Sequence, residues 1–349
     1  MLTGHGNDLY DYNGKIIADF SSNIPYRNAS AQIAAHLSGC LHLIENYPDP
    51  NARTLTREIA AHHNIPPENV LVTNGSAEAF YLLAHLFAGK HSTITYPAFA
   101  EYEDACTVYR HTLSFLPVNE LCESNDFTGS ETVWFAVPNN PDGIIVSDKT
   151  IKALCDNHPH TRFIIDNAYG ELCPQCRSVV SLHAQHPNLI SVHSLTKTFA
   201  IPGLRLGYII AGKSIIEQLQ PLRTPWAVNA LAQEAGSFVM KNYNRLSPDV
   251  HALCRESYMF QQQLAALPHL EATPSPCNYF LVQLKEGTAS QLKSYLIDEH
   301  GILIRDAGNF RGLSPRHFRL SVQEKAANDR LVEALREFLK KTPRCTILS

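Results

Sequence analysis

The 349-residue sequence has no apolar run long enough to span a bilayer, and its opening "MLTGHGNDLYDYNGK" lacks the basic-then-apolar pattern of a secretory leader. Membrane and secreted proteins are therefore disfavoured, and a cytoplasmic location is expected. No basic run exceeds a pair, and 29 Lys+Arg stand against 33 Asp+Glu, a formal net charge of −4. That balance leaves no electrostatic footprint for nucleic acid or an anionic membrane surface. Internal repeats and low-complexity segments are missing too, which excludes solenoid and fibrous architectures. A small-molecule partner is the expectation that remains.

Cysteine is present but not in the arrangement of a disulfide framework. The nine cysteines are odd in number and scattered, which suits reduced thiols. "CPQC", Cys173 to Cys176, has the spacing of a redox dithiol or half a zinc site, but no second CxxC accompanies it. The "HAQH" at His183 to His186 lacks a glutamate or third ligand nearby in sequence. No metal is expected, and the pair reads as loop cysteines. The "HH" at 62 and "HPH" at 158 fall in polar segments and read as solvated surface.

Between residues 70 and 211, short apolar runs each end in Gly, Pro, Asn or Asp: "NVLVTNG", "HSTITYP", "HTLSFLPV", "ETVWFAVPNN", "TRFIIDNAY", "LISVHS" and "RLGYIIAG". Helical stretches such as "SAEAFYLLAHLFA" and "SDKTIKALCDNH" lie between some of them. This is the alternation of an α/β sheet buried on both faces, which binds ligands beyond the carboxyl ends of its strands. Beyond residue 240, a long helical region, "CNYFLVQL", a helix "TASQLKSYLIDEHG", strands "ILIRDA" and "HFRLSV" and a closing helix predict a smaller α+β domain. The expected division is an arm or part of the small domain at 1–40, a large domain at 41–240 and the small domain at 241–349. The arm should cross between domains or reach a partner subunit.

The polar residues at these strand ends form a set. Gly75 and Ser76 open a helix, where free N–H groups favour phosphate, although a serine cap needs no ligand. Asp166 ends an apolar strand and needs either a cationic partner or a capping role. Lys197 stands beyond the next strand with Ser194 and Thr196, in place to act as an amine nucleophile. Arg205, framed by glycines in "GLRLG", can add two donors to a phosphate. Together they describe a site for a phosphate-bearing aldehyde cofactor with a protonated ring nitrogen, pyridoxal 5′-phosphate.

The stretch Ser194-Leu-Thr-Lys197 with Arg205 in "GLRLGY" resembles the lysine signature of the fold-type I aminotransferases. "VPNNPDG" at 137–143 resembles their Asn-Pro-Thr-Gly turn, with Asp142 in place of threonine, and "DNAY" at 166–169 resembles their Asp-x-Ala-Tyr segment. The resemblance implies the fold-type I α/β architecture, with a mostly parallel seven-stranded sheet. It implies that Lys197 holds the cofactor as a Schiff base and carries the proton at Cα. Asp166 would keep the ring nitrogen protonated, and Asn140 and Tyr169 would hydrogen-bond the ring hydroxyl. Gly75, Ser76, Ala77, Ser194, Thr196 and Arg205 would cradle the phosphate. Tyr102 or Phe99 would stack on the ring, the resemblance favouring Tyr102. Arg319 would clamp the substrate α-carboxylate, and Tyr47 would reach the cofactor phosphate of the other subunit of a homodimer.

Within that family, "YPDPNARTLTREIA" and "NGSAE" resemble the histidinol-phosphate aminotransferase branch. "GHGN", "DFSSNIP", "RTPWAVNALA", "PSPCNYFLV" and "GILIRDAGNFRGL" resemble its L-threonine O-3-phosphate decarboxylases, which make the (R)-1-aminopropan-2-yl phosphate of cobalamin biosynthesis. An aminotransferase using 2-oxoglutarate or glutamate is the alternative. Either substrate carries an amine and a phosphate ester, so an anion pocket is needed away from the cofactor. Its expected residues are His5, Gly6 and Arg305, with Asn23, Asn140, Asn278 and Arg319 completing the substrate site.

Overall fold

The computed structural model describes residues 6–12, 14–121, 127, 129–176 and 179–341. Strands are numbered along the chain from β1 (Ala18–Asp19). The seven runs picked out by the alternation become β2 (Val70–Thr73), β3 (His91–Tyr96), β4 (Thr112–Pro117), β5 (Thr132–Ala136), β6 (Arg162–Asp166), β7 (Leu189–Ser194) and β8 (Gly207–Ile210). They form one sheet in the order β2-β8-β7-β6-β5-β3-β4. Only β8 runs against its neighbours, antiparallel to both β2 and β7. The inner strands, such as β5 and β6, are largely apolar because the sheet is covered twice. Val133, Phe135, Phe163 and Ile165 pack into one cluster, while Trp134, Ile164, Ile190, Val192 and Ile209 pack into another. Each such side chain contributes about 1.5–3 kcal/mol by leaving water.

A second sheet joins β9 (Leu270–Ala272), β10 (Tyr279–Leu284), β12 (Arg305–Asp306) and β13 (His317–Ser321) in the antiparallel order β12-β13-β10-β9. The single strand expected from "ILIRDA" is divided, because its two halves serve different partners. β11 (Ile302–Leu303) pairs parallel with β1, whereas Arg305 and Asp306 pair with β13. The helix between these sheet segments, Ala289–His300, is bounded by local chemistry. Thr288 and Gln291 form a reciprocal capping box at its start, and Gly301 ends it at φ 62°.

The N-terminal segment is woven into this second sheet rather than hanging free. Phe20 N–H donates to Leu303 O, and Ser321 N–H donates to Phe20 O. The chain then continues past Asn23 to the helix Ser30–Ser38, which packs on the helix Ala230–Lys241. One apolar cluster extends from Phe135 and Phe163 of the large sheet to Phe280 and Phe318 of the small one.

One expectation about histidine needs correction. His63 is half-buried, not solvated: its Nε2 lies 2.8 Å from the Tyr208 hydroxyl. Tyr208 stacks on His193, whose Nε2 shares the Ser191 hydroxyl with His183 Nε2, both at 2.8 Å. The "CPQC" cysteines lie in the short 3-10 turns after β6, as loop residues, and are buried there, with Cys173 accepting from Cys176 and Cys277. Hydrogen bonding to Cys173, then burial, pushes the Cys176 and Cys277 thiols up.

The histidine cluster makes the fold acid-sensitive. Burial, then the charge of neighbouring histidines, holds His63 down to about 4 and His183 to about 3, and holds His193 well below its ordinary range. An unfolded chain protonates these groups near 6.5, so it binds more protons than the folded one below that pH. The cluster's stabilisation is therefore complete above about pH 6.5 and is lost as pH falls through about 4. Urea midpoints should drop between pH 7 and pH 5 in the wild type and drop less in a His63→Gln/His183→Gln variant. Equal slopes would show that the cluster does not control acid stability.

Candidate functional site

The sheet topology determines which loops meet. Because β8 is antiparallel between β2 and β7, Gly207 at its start is opposite both Thr73 and Ser194. The loops after β2, β5, β6 and β7 and the turn before β8 therefore open at one edge. They enclose a cavity of about 320 Å³ whose lining includes Ser76, Ala77, Asn140, Tyr169, Thr196, Lys197 and Arg205. The small sheet and N-terminal segment close the other side with Gly6, Asn23, Arg305 and Arg319.

The phosphate-cradle expectation rests on tight backbone geometry. Gly75 has φ 78°, and a Cβ there would fall 2.6 Å from Arg205 Nη2. A Cβ on Gly207 would fall 2.7 Å from the Ser76 backbone nitrogen. Both glycines leave room for the start of the helix Gly75–Leu86 to approach the arginine, forming a cradle of N–H donors and a guanidinium. Ser194 Oγ is 2.7 Å from Thr196 Oγ1 and stands behind it. Arg205 itself adopts φ 57° and donates to Pro202 O at 3.2 Å.

Asp166 is 8% exposed at the end of β6 and receives the Ala168 N–H at 2.9 Å. Burial pushes its carboxyl up, opposed by hydrogen bonds from Tyr102 and Ala168 and by the charge of Lys197. A protonated ring nitrogen is the sort of partner that would favour its charged form. Lys197 Nζ lies 5.8 Å from the centroid of the Tyr169 ring, so the amine and the phenol share one wall. The Asn-Pro turn is stabilised by the unusual residue in it. Asp142 Oδ1 accepts from Asn139 Nδ2 at 2.8 Å and from Ile144 N–H at 3.1 Å, so a carboxylate holds the turn where the family pattern has threonine.

Tyr102 departs from its expected place. Its ring is 1% exposed, packed edge-on against Phe80, and its hydroxyl donates to Asp166 Oδ2 at 2.5 Å. Of the two aromatics offered by "YPAFAEY" for stacking, Phe99 lines the cavity and Tyr102 does not. Asn278 is also displaced from the wall: it is fully buried and donates to Asn23 O at 3.2 Å, so it positions Asn23 from behind. Tyr47 does not line this cavity; it is 82% exposed, beside Trp226. His5 lies outside the described residues.

The opposite wall carries the charge. Arg305 and Arg319 are directly paired across β12 and β13, 9% and 5% exposed. Neither forms an ion pair among the described residues. Arg319 donates to Asn140 Oδ1 and to Ser21 O, and Arg305 donates to Asp306 O and to Asn309 Oδ1. Burial first, then Arg319, lowers the Arg305 guanidinium to about 10. Like charges facing each other across a ladder are destabilising, so this wall is arranged for anions. Asn23 adds a buried amide whose Nδ2 and Oδ1 have no hydrogen-bond partner among the described residues.

Sequence reasoning missed the mouth of the cavity. Arg311 spans from the small-sheet side to Glu103, at 2.7 and 3.2 Å, and lies 3.7 Å over the Phe115 ring. The "NFRGL" stretch held that arginine in plain view, but its partner is 208 positions away.

Gly75→Ala should weaken binding of pyridoxal phosphate to the apo-chain at least tenfold, through a strained φ worth about 1–3 kcal/mol and the clash with Arg205. Gly203→Ala, with nothing within 4 Å of its Cβ, should bind normally. A spectroscopic titration in which both variants match wild type would remove the cradle's role.

The comparisons agree with this geometry. The profile of the family described as "Aminotransferase class I and II" matches residues 16–335. Threonine-phosphate decarboxylase of Salmonella typhimurium is 30% identical over 93% of this chain and 91% of its own. A histidinol-phosphate aminotransferase of Caldanaerobacter subterraneus is 29% identical, covering 84% of each chain. The crystal structure of L-threonine-O-3-phosphate decarboxylase from Porphyromonas gingivalis superposes with a TM-score of 0.90 at 37% identity, over 93% of this chain and 100% of that one. A cavity lined by a lysine, with a glycine-framed phosphate cradle, and a buried aspartate at the end of the neighbouring strand β6 together fit the pyridoxal phosphate cofactor. The chain belongs to the class I and II aminotransferase family and is a pyridoxal 5′-phosphate-dependent enzyme.

Proposed function

We propose that the chain decarboxylates L-threonine O-3-phosphate, releasing CO2 and (R)-1-aminopropan-2-yl phosphate. The observation that carries this reading is the pair of buried arginines, Arg305 and Arg319, facing the cavity of Lys197 without a carboxylate partner among the described residues. A substrate with two anionic groups, a carboxylate and a phosphate ester, relieves both charges at once. The decarboxylases of Salmonella typhimurium and Porphyromonas gingivalis support the same substrate.

Pyridoxal phosphate, when bound, supplies an electron-accepting ring for the pair left at Cα as a bond there breaks. The chain's residues do the rest. Asp166 holds the proton on the ring nitrogen, Asn140 and Tyr169 hydrogen-bond the ring hydroxyl, and the Ser76, Thr196 and Arg205 cradle fixes the phosphate end. Arg319 takes the substrate carboxylate and Arg305, with Gly6 beside the same wall, takes the phosphate ester. That hold selects which Cα bond is aligned for cleavage. After CO2 leaves, the Lys197 amine delivers a proton to Cα.

A histidinol-phosphate aminotransferase is the second reading, favoured by the Caldanaerobacter relative. Purified enzyme with threonine phosphate should release CO2 with no keto acid added. A requirement for 2-oxoglutarate, with glutamate as product, would establish the aminotransferase instead. Lys197→Ala should abolish turnover. Arg305→Gln should raise KM for threonine phosphate at least tenfold, the cost of about 1.5–3 kcal/mol for a hydrogen bond to a charged group, and leave cofactor binding unchanged.

We further place the enzyme in the cytoplasm as a homodimer. None of the described helices is long and apolar enough to cross a membrane. Leu41, Ile44, Tyr47 and Trp226 are 54, 70, 82 and 47% exposed, large apolar side chains suited to burial against a second copy. Sedimentation should give a dimer, and Tyr47→Phe should weaken cofactor binding while leaving the dimer intact. A monomer with full activity would overturn this assignment.

A further inference from the structure

Outside the catalytic cavity, one cluster joins three kinds of metal-binding atom. His36 Nε2 is 2.7 Å from Glu234 Oε1 and 3.8 Å from Cys40 Sγ, and the three ligand atoms all lie within 4.8 Å of one another. All three residues are half-buried. His36 lies in the last turn of the helix Ser30–Ser38, and Cys40 follows just beyond that helix's end. Glu234 comes from the helix Ala230–Lys241, 198 positions away. The imidazole is held in place: it stacks on Phe238, one turn beyond Glu234, with centroids 4.0 Å apart and planes 9° apart.

We propose that His36, Cys40 and Glu234 form a zinc site, with water as the fourth ligand. The donor set decides the ion. Imidazole and thiolate are poor ligands for magnesium or calcium, whereas nitrogen, sulfur and carboxylate oxygen together match zinc. The separations from the ring nitrogen require little change. Tetrahedral zinc, about 2.0–2.1 Å from nitrogen and oxygen and about 2.3 Å from sulfur, sets the N–S separation near about 3.6 Å and the N–O separation near about 3.3 Å. The thiol is already at the right distance from the ring, and the carboxylate must withdraw by about half an ångström to admit the ion. Binding replaces the Cys40 thiol proton, which is released to solvent, and forms one bond each to sulfur, nitrogen and oxygen.

The position gives the site a consequence. The ion would tie the first helix to Ala230–Lys241 immediately before residues 41–47, the segment bearing Leu41, Ile44 and Tyr47. It is a structural clamp on the surface proposed to meet the second subunit, remote from the chemistry of Lys197.

Chelator-treated holoenzyme should be titrated with Zn²⁺, and separately with Co²⁺ as a spectroscopic probe. The expected result is one ion per chain, a near-ultraviolet thiolate-to-cobalt band and the visible absorption of tetrahedral cobalt. Cys40→Ser should lose that band, and Glu234→Gln should weaken zinc binding by at least the roughly 10–100-fold that even outer-shell changes cause. Cys176→Ser, altered in the other thiol cluster, should retain both. Zinc should raise the melting temperature of the wild type but not of Cys40→Ser. Unchanged metal binding in Cys40→Ser, or a cobalt spectrum without a thiolate band in the wild type, would overturn the proposal.

Discussion

The cavity depends on one rung of the large sheet. Gly207 is paired on one side with Thr73 and on the other with Ser194, and its missing side chain lets the Ser76 amide come within reach of that rung. Two strands run forward and one returns between them. The helix start after β2, the lysine loop after β7 and the arginine turn before β8 are thereby brought to a single point. A parallel β8 would carry Arg205 to the far edge of the sheet and leave the cradle without its guanidinium. Gly75 completes the arrangement, because only its positive φ turns the helix toward the arginine without a clash.

Charge is distributed around this rung in a way that only a ligand balances. Asp166 is a buried acid whose nearest cationic influence is Lys197, and Arg305 and Arg319 are buried cations opposed across a ladder. Such groups cost stability when left alone. The acid, buried at the end of β6, is complementary to a cofactor with a protonated nitrogen, and the two arginines lining the cavity are complementary to a ligand with two anionic ends. The Arg311–Glu103 pair at the mouth is satisfied internally, which distinguishes it from the walls. It connects the small sheet to the helix Glu101–Val108, so the cavity's entrance is spanned by a contact between the two layers that form it.

Much of this was legible along the chain. The inner strands of the large sheet, such as β5, β6 and β7, are largely apolar, a pattern that burial on both faces imposes, and the runs end in turn residues. The lysine, the aspartate and the asparagine turn were legible because each stands at or just beyond the end of such a strand. Tyr102 was misplaced because a tyrosine beside a glycine-poor loop can present either its face to a ligand or its hydroxyl to a buried acid. Asp166 settled the choice, through a contact across 64 positions. His63 was read as solvated for a similar reason: its local sequence is polar, and its partner Tyr208 belongs to β8. Asp142 stands where the resembled motif has threonine, and only its contacts show its carboxylate holding the turn.

By itself, then, the sequence determined the order of strands and helices, the cofactor chemistry and most of the residues on the Lys197 wall. Those features are local, set by residue periodicity and by the polar residue that ends each strand. Tertiary structure alone decided the opposing wall. Arg305 and Arg319 became a pair through cross-strand register, Asn278 moved behind Asn23, and Glu234 met His36 and Cys40, because side chains distant in sequence converge only when sheets and helices pack.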